Sequence, residues 1–289
     1  MIIIDYLKTE PLAVILTAGL LGLVVGSFLN VVIYRLPQMM KREMREYCAE
    51  VMGLLTPPNT TETFNLIWPR SRCPHCAHLI TALENIPILS YLWQKGRCTA
   101  CHGTISIRYP IVEAVSAGFA LVTAWQLGFG WELAGALMLT WALLALSVID
   151  LDHQLLPDNI TLPLLWLGII CNLFGLYTDV KSSIIGAIAG YMILWSVNIT
   201  FRLLMHKEGM GAGDFKLLAA LGAWLGWQML PIIILFSSLV GSIVGITFIL
   251  LKKNDLNTRI PFGPYLAGAG WISLLWGTTL TQSYLTLYP

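Results

Sequence analysis

Long apolar stretches recur along this chain and constrain its fold more than any other feature. Eight of them are candidates for helices that cross the hydrocarbon core of a bilayer, which takes about 20 residues, although the sixth has only 13. They run over Leu12–Ile33, Ile111–Phe129, Trp131–Ile149, Ile160–Tyr177, Ile184–Leu204, Phe215–Trp227, Leu230–Leu251 and Tyr265–Leu280. Gly, Pro or polar residues separate most of these stretches. The sequence therefore predicts an all-α polytopic membrane protein with about eight transmembrane helices.

The composition agrees with a lipid environment. Hydrophobic residues make up 56% of the chain and charged residues only 11%, whereas soluble domains contain about 25% charged residues. The mean hydropathy is +0.72. The net charge is only +1, so the chain has no bulk positive field to attract nucleic acid. We expect the lipid bilayer as a partner, and no nucleic acid.

The basic residues predict the orientation, because short cytosolic loops are enriched in Lys and Arg. With the N-terminus outside, all of them except Lys8 and Lys181 fall on the cytosolic side. This pattern supports the count of eight spans. It divides the chain into a first transmembrane helix (1–34), a cytosolic insertion between helices 1 and 2 (35–109) and a seven-helix membrane domain (110–289).

The insertion contains four cysteines in two C-x2-C pairs separated by 21 residues: Cys73, Cys76, Cys98 and Cys101. Two residues between cysteines let both sulfurs face one ion from a single turn, and four thiolates complete a tetrahedral zinc site. A small segment also gains folding energy from metal binding. Two disulfides are the alternative, which a reducing cytosol disfavours. The pattern predicts a structural Zn²⁺ site.

Charged and apolar residues alternate between Gln38 and Leu55, at the start of the insertion. This pattern predicts an amphipathic helix. Two placements stay open: on the membrane surface, or as a solvated helix packed against the cysteine segment.

Carboxylates at the edge of a bilayer are costly and are therefore candidates for function. Asp150 ends the third apolar stretch, and Asp214 follows a glycine-rich run at the start of the sixth. Asp158 is expected to be an N-cap or turn residue, and Asp152 with His153 to meet water. Asp214 taken alone fits an N-cap equally well.

The predicted topology favours a functional pair, because it places Asp150 and Asp214 at the same, cytosolic, membrane face. Two adjacent carboxyl groups share a proton. The ionised one takes a proton from water attacking a peptide carbonyl, while the protonated one donates to the carbonyl oxygen. The sequence does not assign the two roles.

These residues carry a resemblance to a known family. Gly211-Ala-Gly213-Asp214 fits the GxGD signature of intramembrane aspartyl proteases. Five blocks in order resemble the type IV prepilin peptidases: 26–37, the four-cysteine segment, 108–113, 150–158 and 211–217. The resemblance covers nearly the whole chain. It implies that Asp150 and Asp214 are the catalytic pair.

The resemblance also implies an activity and a location. The enzyme is expected to cut the leader peptide of type IV prepilins and type II secretion pseudopilins after a Gly, at the cytosolic face of the bacterial inner membrane. It is expected to methylate the new N-terminal residue with S-adenosylmethionine. No G-x-G-x-x-G run follows a strand pattern, so a Rossmann-type cofactor site is not expected. Arg72, Arg97, Arg108 and Glu113 remain open, either as contacts of cofactor or leader or as solvated charges.

Three alternatives stand beside this interpretation. A proton-coupled transporter with a zinc-binding regulatory segment explains the carboxylates, but transporters place coupling residues near the midplane. A non-catalytic assembly platform for a pilus or secretion machine needs neither Asp. A protease of the same type acting on another membrane-anchored substrate is the third.

Overall fold

The structure is a computed structural model that describes residues 8–53, 64–206, 209–252 and 261–286. Its nine described α-helices are α1 (Pro11–Val51), α2 (Leu89–Trp93), α3 (Arg108–Leu127), α4 (Trp131–His153), α5 (Asp158–Leu173), α6 (Val180–Met205), α7 (Ala212–Leu225), α8 (Leu230–Lys252) and α9 (Gly263–Thr286). The described residues contain only two isolated β-bridges, Arg72 with Leu79 and Arg97 with Thr104. The predicted all-α class is confirmed.

All eight predicted apolar stretches lie largely in helices. Five helical segments are long and apolar enough to cross a membrane: α1, α3, α4, α6 and Trp227–Phe248. Helix α5 is a shorter apolar helix. The number of spans and the predicted domain boundaries stay predictions. Part of the basic-residue pattern, at Lys207, Lys253 and Arg259, lies outside the described residues.

Helix α1 is longer than the predicted first span, which ends at Ile33. It has 41 residues and continues through Pro37, so at 1.5 Å per residue it is about 60 Å long, twice the hydrocarbon thickness. The predicted first span and amphipathic helix are therefore one helix as far as Val51. The last predicted residue, Leu55, lies outside the described residues.

The chain forms two compact units, Met1–Phe129 (the N-terminal unit) and Gly130–Pro289 (the C-terminal unit). In the N-terminal unit, α1 packs closely on α3. A β-carbon on Gly22 would lie 2.8 Å from the Cα of Ala117, and one on Gly26 equally close to the Cα of Glu113. The Ser116 hydroxyl donates to the Gly22 carbonyl over 2.6 Å. Glycine thus lets the two backbones meet and holds Glu113 against α1.

Helix α7 is the centre of the C-terminal unit. Every residue from Leu217 to Trp224 is buried. Gly222 meets Gly186 of α6 backbone to backbone, and the Trp224 indole N–H donates to the Leu164 carbonyl of α5 over 2.8 Å. Its 14 residues rise only about 21 Å. Because neighbouring helices cover it, this short helix need not match the bilayer thickness on its own.

Candidate active site and candidate metal centre

The structure brings Asp150 and Asp214 together in the C-terminal unit. Asp150 lies in the last turn of α4 and Asp214 in the first turn of α7. Both are buried, with 5% and 8% of their surface exposed, and they lie close enough to interact electrostatically. The juxtaposition predicted from the topology is therefore present. One boundary differs: α4 continues to His153, so Asp150 and Asp152 are both helical, and Asp152 is exposed as expected.

A residue that sequence reasoning missed holds Asp150 in place. The backbone N–H of Gly263 donates to Asp150 Oδ2 over 3.0 Å. Gly263 is the first residue of α9, so the positive end of a helix dipole faces this carboxylate. A β-carbon on Gly263 would lie 2.6 Å from Oδ2. In the sequence, the feature that could have indicated this contact is the glycine between Phe262 and Pro264, just before an apolar stretch.

Asp214 is not the N-cap that the alternative interpretation expects. Gly211 is the N-cap of α7, with an extended backbone at φ −74° and ψ 147°. Asp214 Oδ1 is buried and has no hydrogen-bond partner among the described residues. A buried polar atom without a partner costs about 1–3 kcal/mol, and such atoms call for an explanation such as a ligand or a catalytic role.

Leu156 connects the surroundings of the two acids. It is buried in the loop after α4. A β-carbon on Gly213 would lie 2.7 Å from Leu156 Cβ, and one on Gly263 would lie 3.2 Å from Leu156 Cδ2. The starts of α7 and α9 therefore both pack on this side chain. Glycine at 213 is required by this packing, which the GxGD pattern alone does not reveal.

Asp158 has a different role from the predicted one. Pro157 is the N-cap of α5, and Asp158 is the first helical residue. Lys216 Nζ donates to both carboxylate oxygens of Asp158 at 2.7 Å. Since Lys216 lies two residues after Asp214, this ion pair joins the start of α5 to the start of α7 beside the acidic pair.

The four cysteines form one cluster in the N-terminal unit. Their sulfur atoms all lie within 4.8 Å of one another. The Sγ atoms of Cys73 and Cys101 are 3.8 Å apart, and those of Cys76 and Cys98 are 4.0 Å apart. Tetrahedral zinc with bonds of about 2.3 Å places sulfurs about 3.8 Å apart. The cluster therefore fits the predicted metal centre, and these separations are not disulfide bonds.

Both C-x2-C pairs have the same local backbone. The N–H of Cys73 donates to the His78 carbonyl, and the N–H of Cys98 to the Gly103 carbonyl, each over 2.9 Å. Each pair is also flanked by one of the isolated bridges. Two equivalent turns thus present two sulfurs each to a shared centre.

The thiol chemistry of the cluster favours a bound cation. Hydrogen bonds from the backbone of Cys76 and His75 lower the pKa of Cys73 to about 7. For Cys76, a backbone hydrogen bond at His78 lowers the pKa, but desolvation and the neighbouring thiols outweigh it and raise the pKa to about 12. Several thiolates coexist at neutral pH only if a cation compensates their charge.

Glu84 links the two cysteine turns. The Thr99 hydroxyl, beside Cys98, donates to this carboxylate. The N–H and hydroxyl of Thr81 donate to Oε2 over 2.8 and 2.9 Å, and His78 Nε2 lies 3.3 Å away. These hydrogen bonds lower the pKa of Glu84 to about 2. Sequence reasoning did not select Glu84.

Comparison with known proteins identifies the family. The model of the type IV leader peptidase family matches residues 137–246, and that of the bacterial peptidase A24 N-terminal domain matches residues 20–127. The chain is 53% identical over 282 residues to the prepilin leader peptidase/N-methyltransferase of Stutzerimonas stutzeri, covering 98% of this chain and 97% of the relative. The chain belongs to the type IV leader peptidase family.

Other members of this family are equally similar. The prepilin leader peptidase/N-methyltransferase of Pseudomonas aeruginosa is 53% identical over 283 residues, covering 98% of this chain and 97% of the relative. The protein of that name from Aeromonas salmonicida is 57% identical over 268 residues, 92% of each chain. No solved structure matches the chain. The resemblance and the enzymatic class predicted from the sequence are confirmed, and the transporter alternative gains no support.

The two family regions separate the candidate groups. Asp150 and Asp214 lie in the leader peptidase region, whereas the cysteine cluster lies in the N-terminal region. Of the four side chains left open in the sequence, the three arginines are exposed and Glu113 is buried. Glu113 is therefore the one that needs a structural or functional explanation.

Proposed function

We propose that this protein is an aspartyl endopeptidase of the inner membrane. It removes the leader of type IV prepilins and type II secretion pseudopilins after a Gly at the cytosolic face, and it methylates the new N-terminal residue. The observation that carries this proposal is the buried pair of Asp150 and Asp214 within the leader peptidase region. The names of the relatives supply the prepilin substrate and the second activity, and the family resemblance adds the pseudopilins.

The surroundings of the two acids favour a division of roles in hydrolysis. The Gly263 N–H and the N-terminus of α9 stabilise negative charge on Asp150, so Asp150 is the base that takes a proton from the attacking water. Asp214, protonated, donates to the carbonyl oxygen of the scissile peptide. The water oxygen bonds to the carbonyl carbon. The C–N bond then breaks as Asp150 passes its proton to the leaving amine and Asp214 takes back a proton from the former carbonyl oxygen.

The predicted orientation of the chain in the membrane is consistent with this hydrolysis. Asp150 lies at the end of α4 and Asp214 at the start of α7. With the N-terminus outside, both helix ends and the cysteine segment face the cytosol, where the basic residues concentrate. A prepilin then presents its scissile bond at the membrane edge, and hydrolysis needs no water deep in the hydrocarbon.

Two bound groups belong to this proposal. Cys73, Cys76, Cys98 and Cys101 are proposed to hold a structural Zn²⁺ that organises the insertion. S-adenosylmethionine, when bound, supplies the methyl group for the amine that cleavage exposes.

Cleavage of a purified prepilin in detergent tests the proposal. We expect Asp150→Asn and Asp214→Asn each to reduce cleavage by about a hundredfold or more, with thermal unfolding close to that of the wild type. Asp152→Asn is the matched control, because it is an exposed acid on the same helix. Normal cleavage by either folded active-site variant would overturn the assignment of the acidic pair.

A further inference from the structure

A cavity of about 690 Å³ lies within the N-terminal unit. Its walls come from α1, the cysteine-bearing segment and the start of α3, between Ser27 and Glu113. Small-molecule sites commonly measure about 300–1,000 Å³. All of these residues fall in the region that matches the N-terminal domain family, and none in the region of the acidic pair.

Three polar side chains on its wall are more than nine-tenths buried: Asn30, Arg35 and Glu113. Arg35 has a structural role, because it donates to the carbonyls of Asn65 and Pro69 over 3.0 and 2.6 Å. The other two keep hydrogen-bonding capacity. Asn30 Nδ2 donates to the Tyr109 carbonyl over 3.1 Å, a bond that does not use the Asn30 amide oxygen.

Glu113 is the chemically decisive group of this cavity. Its Oε2 accepts from the Ile88 N–H over 2.7 Å, and the Ser27 hydroxyl also hydrogen-bonds to it. Both donors are neutral, so they stabilise a carboxylate by hydrogen bonding but bring no positive charge to it. A carboxylate offers about four acceptor sites, and two donors leave room for more. Burying a charge is costly unless it is paired, which favours a cationic ligand beside Glu113.

We propose that this cavity is the S-adenosylmethionine site, with Glu113 facing the positive charge of the donor. The proposal rests on the proposed function. S-adenosylmethionine carries a sulfonium and an ammonium group, which a buried carboxylate complements. Its adenine ring and sulfonium methyl group also suit aromatic walls, which the cavity offers in Tyr34, Phe64, Tyr91 and Tyr109.

The division of the chain supports this placement. The proposed hydrolysis uses Asp150, Asp214 and Gly263, all in the C-terminal unit. The second proposed activity needs a cofactor site of its own. Among the described residues, the N-terminal unit provides a partly open cavity with a buried acid on its wall, and this region matches a separate family model.

Binding of radiolabelled S-adenosylmethionine to the full-length protein in detergent tests the site by equilibrium dialysis. Glu113→Gln removes the charge but keeps an acceptor for the Ile88 N–H. Val31→Phe, on the α1 wall, fills space without changing any charge. We expect each to weaken binding about tenfold or more. Thermal unfolding checks that each variant is folded.

Two matched controls accompany these variants. Val24→Phe places the same substitution on the same helix at an exposed position. Glu132→Gln makes the same change of charge in the first turn of α4, in the other unit. Both are expected to bind S-adenosylmethionine with an affinity within about twofold of the wild type. A tenfold loss of affinity in the test variants is then distinguishable from the controls.

The possible outcomes distinguish a failure of the proposed cofactor site from a failure of the proposed function. Weak binding by Glu113→Gln and Val31→Phe, with wild-type binding by the controls, supports the site. Unchanged binding by folded Glu113→Gln and Val31→Phe overturns the site alone, because the wild type still binds the donor. A wild type that cleaves prepilin but neither binds the donor nor methylates the product overturns both the site and the second proposed activity.

Discussion

The backbone N–H of Gly263 donates a hydrogen bond to Asp150 across 113 positions of sequence. It comes from the first turn of α9 and reaches the last turn of α4. The N-terminus of α9 thereby fixes the carboxylate and places partial positive charge beside it. The candidate active site is thus built from three helix ends, of which the sequence pattern identifies only those carrying the acids.

Gly263→Ala should therefore impair catalysis while the helices remain intact. The added methyl group would lie 2.6 Å from Asp150 Oδ2, so the carboxylate must move. A displacement of about 1 Å costs about a hundredfold in rate at a catalytic group. We expect prepilin cleavage to fall about 10- to 100-fold, with the unfolding temperature little changed.

Gly268→Ala is the control for this substitution. Gly268 lies on the same helix, and a β-carbon there would meet no atom within 4 Å. It should cleave prepilin like the wild type. Equal cleavage rates for the two variants would show that Gly263 does not position Asp150.

The ion pair between Lys216 and Asp158 gives a second prediction. The two side chains are 28% and 49% exposed, so the pair contributes only about 0.2–1 kcal/mol to stability. Its position beside Asp214 means that losing it lets the start of α7 shift against α5. We expect Lys216→Gln and Asp158→Asn each to lower cleavage a few-fold.

A double-mutant cycle separates the pair from the individual residues. The combined variant should cleave no more slowly than the poorer single variant, because either substitution already removes the interaction. Cleavage kinetics of the four proteins provide the measurement. Additive losses would mean that the two residues act independently and that the pair does not orient α7.

The parts of this protein that could be predicted from sequence are those encoded by local patterns. Each apolar stretch identifies its own helix, because backbone groups in lipid must bond within the segment. Cys73 and Cys76 reveal half of a metal centre through their spacing alone. The pairing of Asp150 and Asp214 was also predictable, since each lies at a helix end and the predicted topology assigns both ends to one face.

The contacts that complete the two sites depend on tertiary packing, and they leave no local pattern in the sequence. Gly263 resembles any glycine that starts a helix until α9 is placed beside α4. Arg35 looked like a topological marker at a membrane edge, yet it is buried against the backbone carbonyls of Asn65 and Pro69. The first apolar stretch ends at Ile33, but α1 continues through Pro37 to Val51.

Glu84 is expected to support metal binding without contacting the metal. It connects the Thr99 hydroxyl, next to Cys98, to Thr81 and His78 near the other cysteine pair. Partners that orient metal-binding segments contribute about 10- to 100-fold in affinity. Glu84→Ala should weaken Zn²⁺ binding by about this factor in competition with a chelating dye, whereas Glu50→Ala, an exposed acid on α1, should not.

The pH dependence of the Glu84 effect follows from its pKa, which is lowered from 4.5 to about 2. A lowered pKa gives a stabilising contribution that is complete above 4.5 and is lost as the pH falls through about 2. The affinity ratio between wild type and Glu84→Ala should therefore be the same at pH 6.5 and pH 8. A ratio near one at both values would exclude the linking role.

The contact between Gly222 and Gly186 makes α7 sensitive to very small side chains. A β-carbon on Gly222 would overlap the Gly186 carbonyl, and backbone atoms cannot move aside as a flexible side chain can. Gly222→Ala should therefore destabilise the protein by about 1–3 kcal/mol and lower the unfolding temperature. Because α7 carries Asp214, cleavage at moderate temperature should fall as well.

Gly118→Ala on α3 is the control, because nothing lies within 4 Å of a β-carbon placed there. It should keep or slightly raise stability, since alanine favours helix over glycine. A Gly222→Ala protein that unfolds at the wild-type temperature would mean that the α6–α7 contact does not depend on glycine.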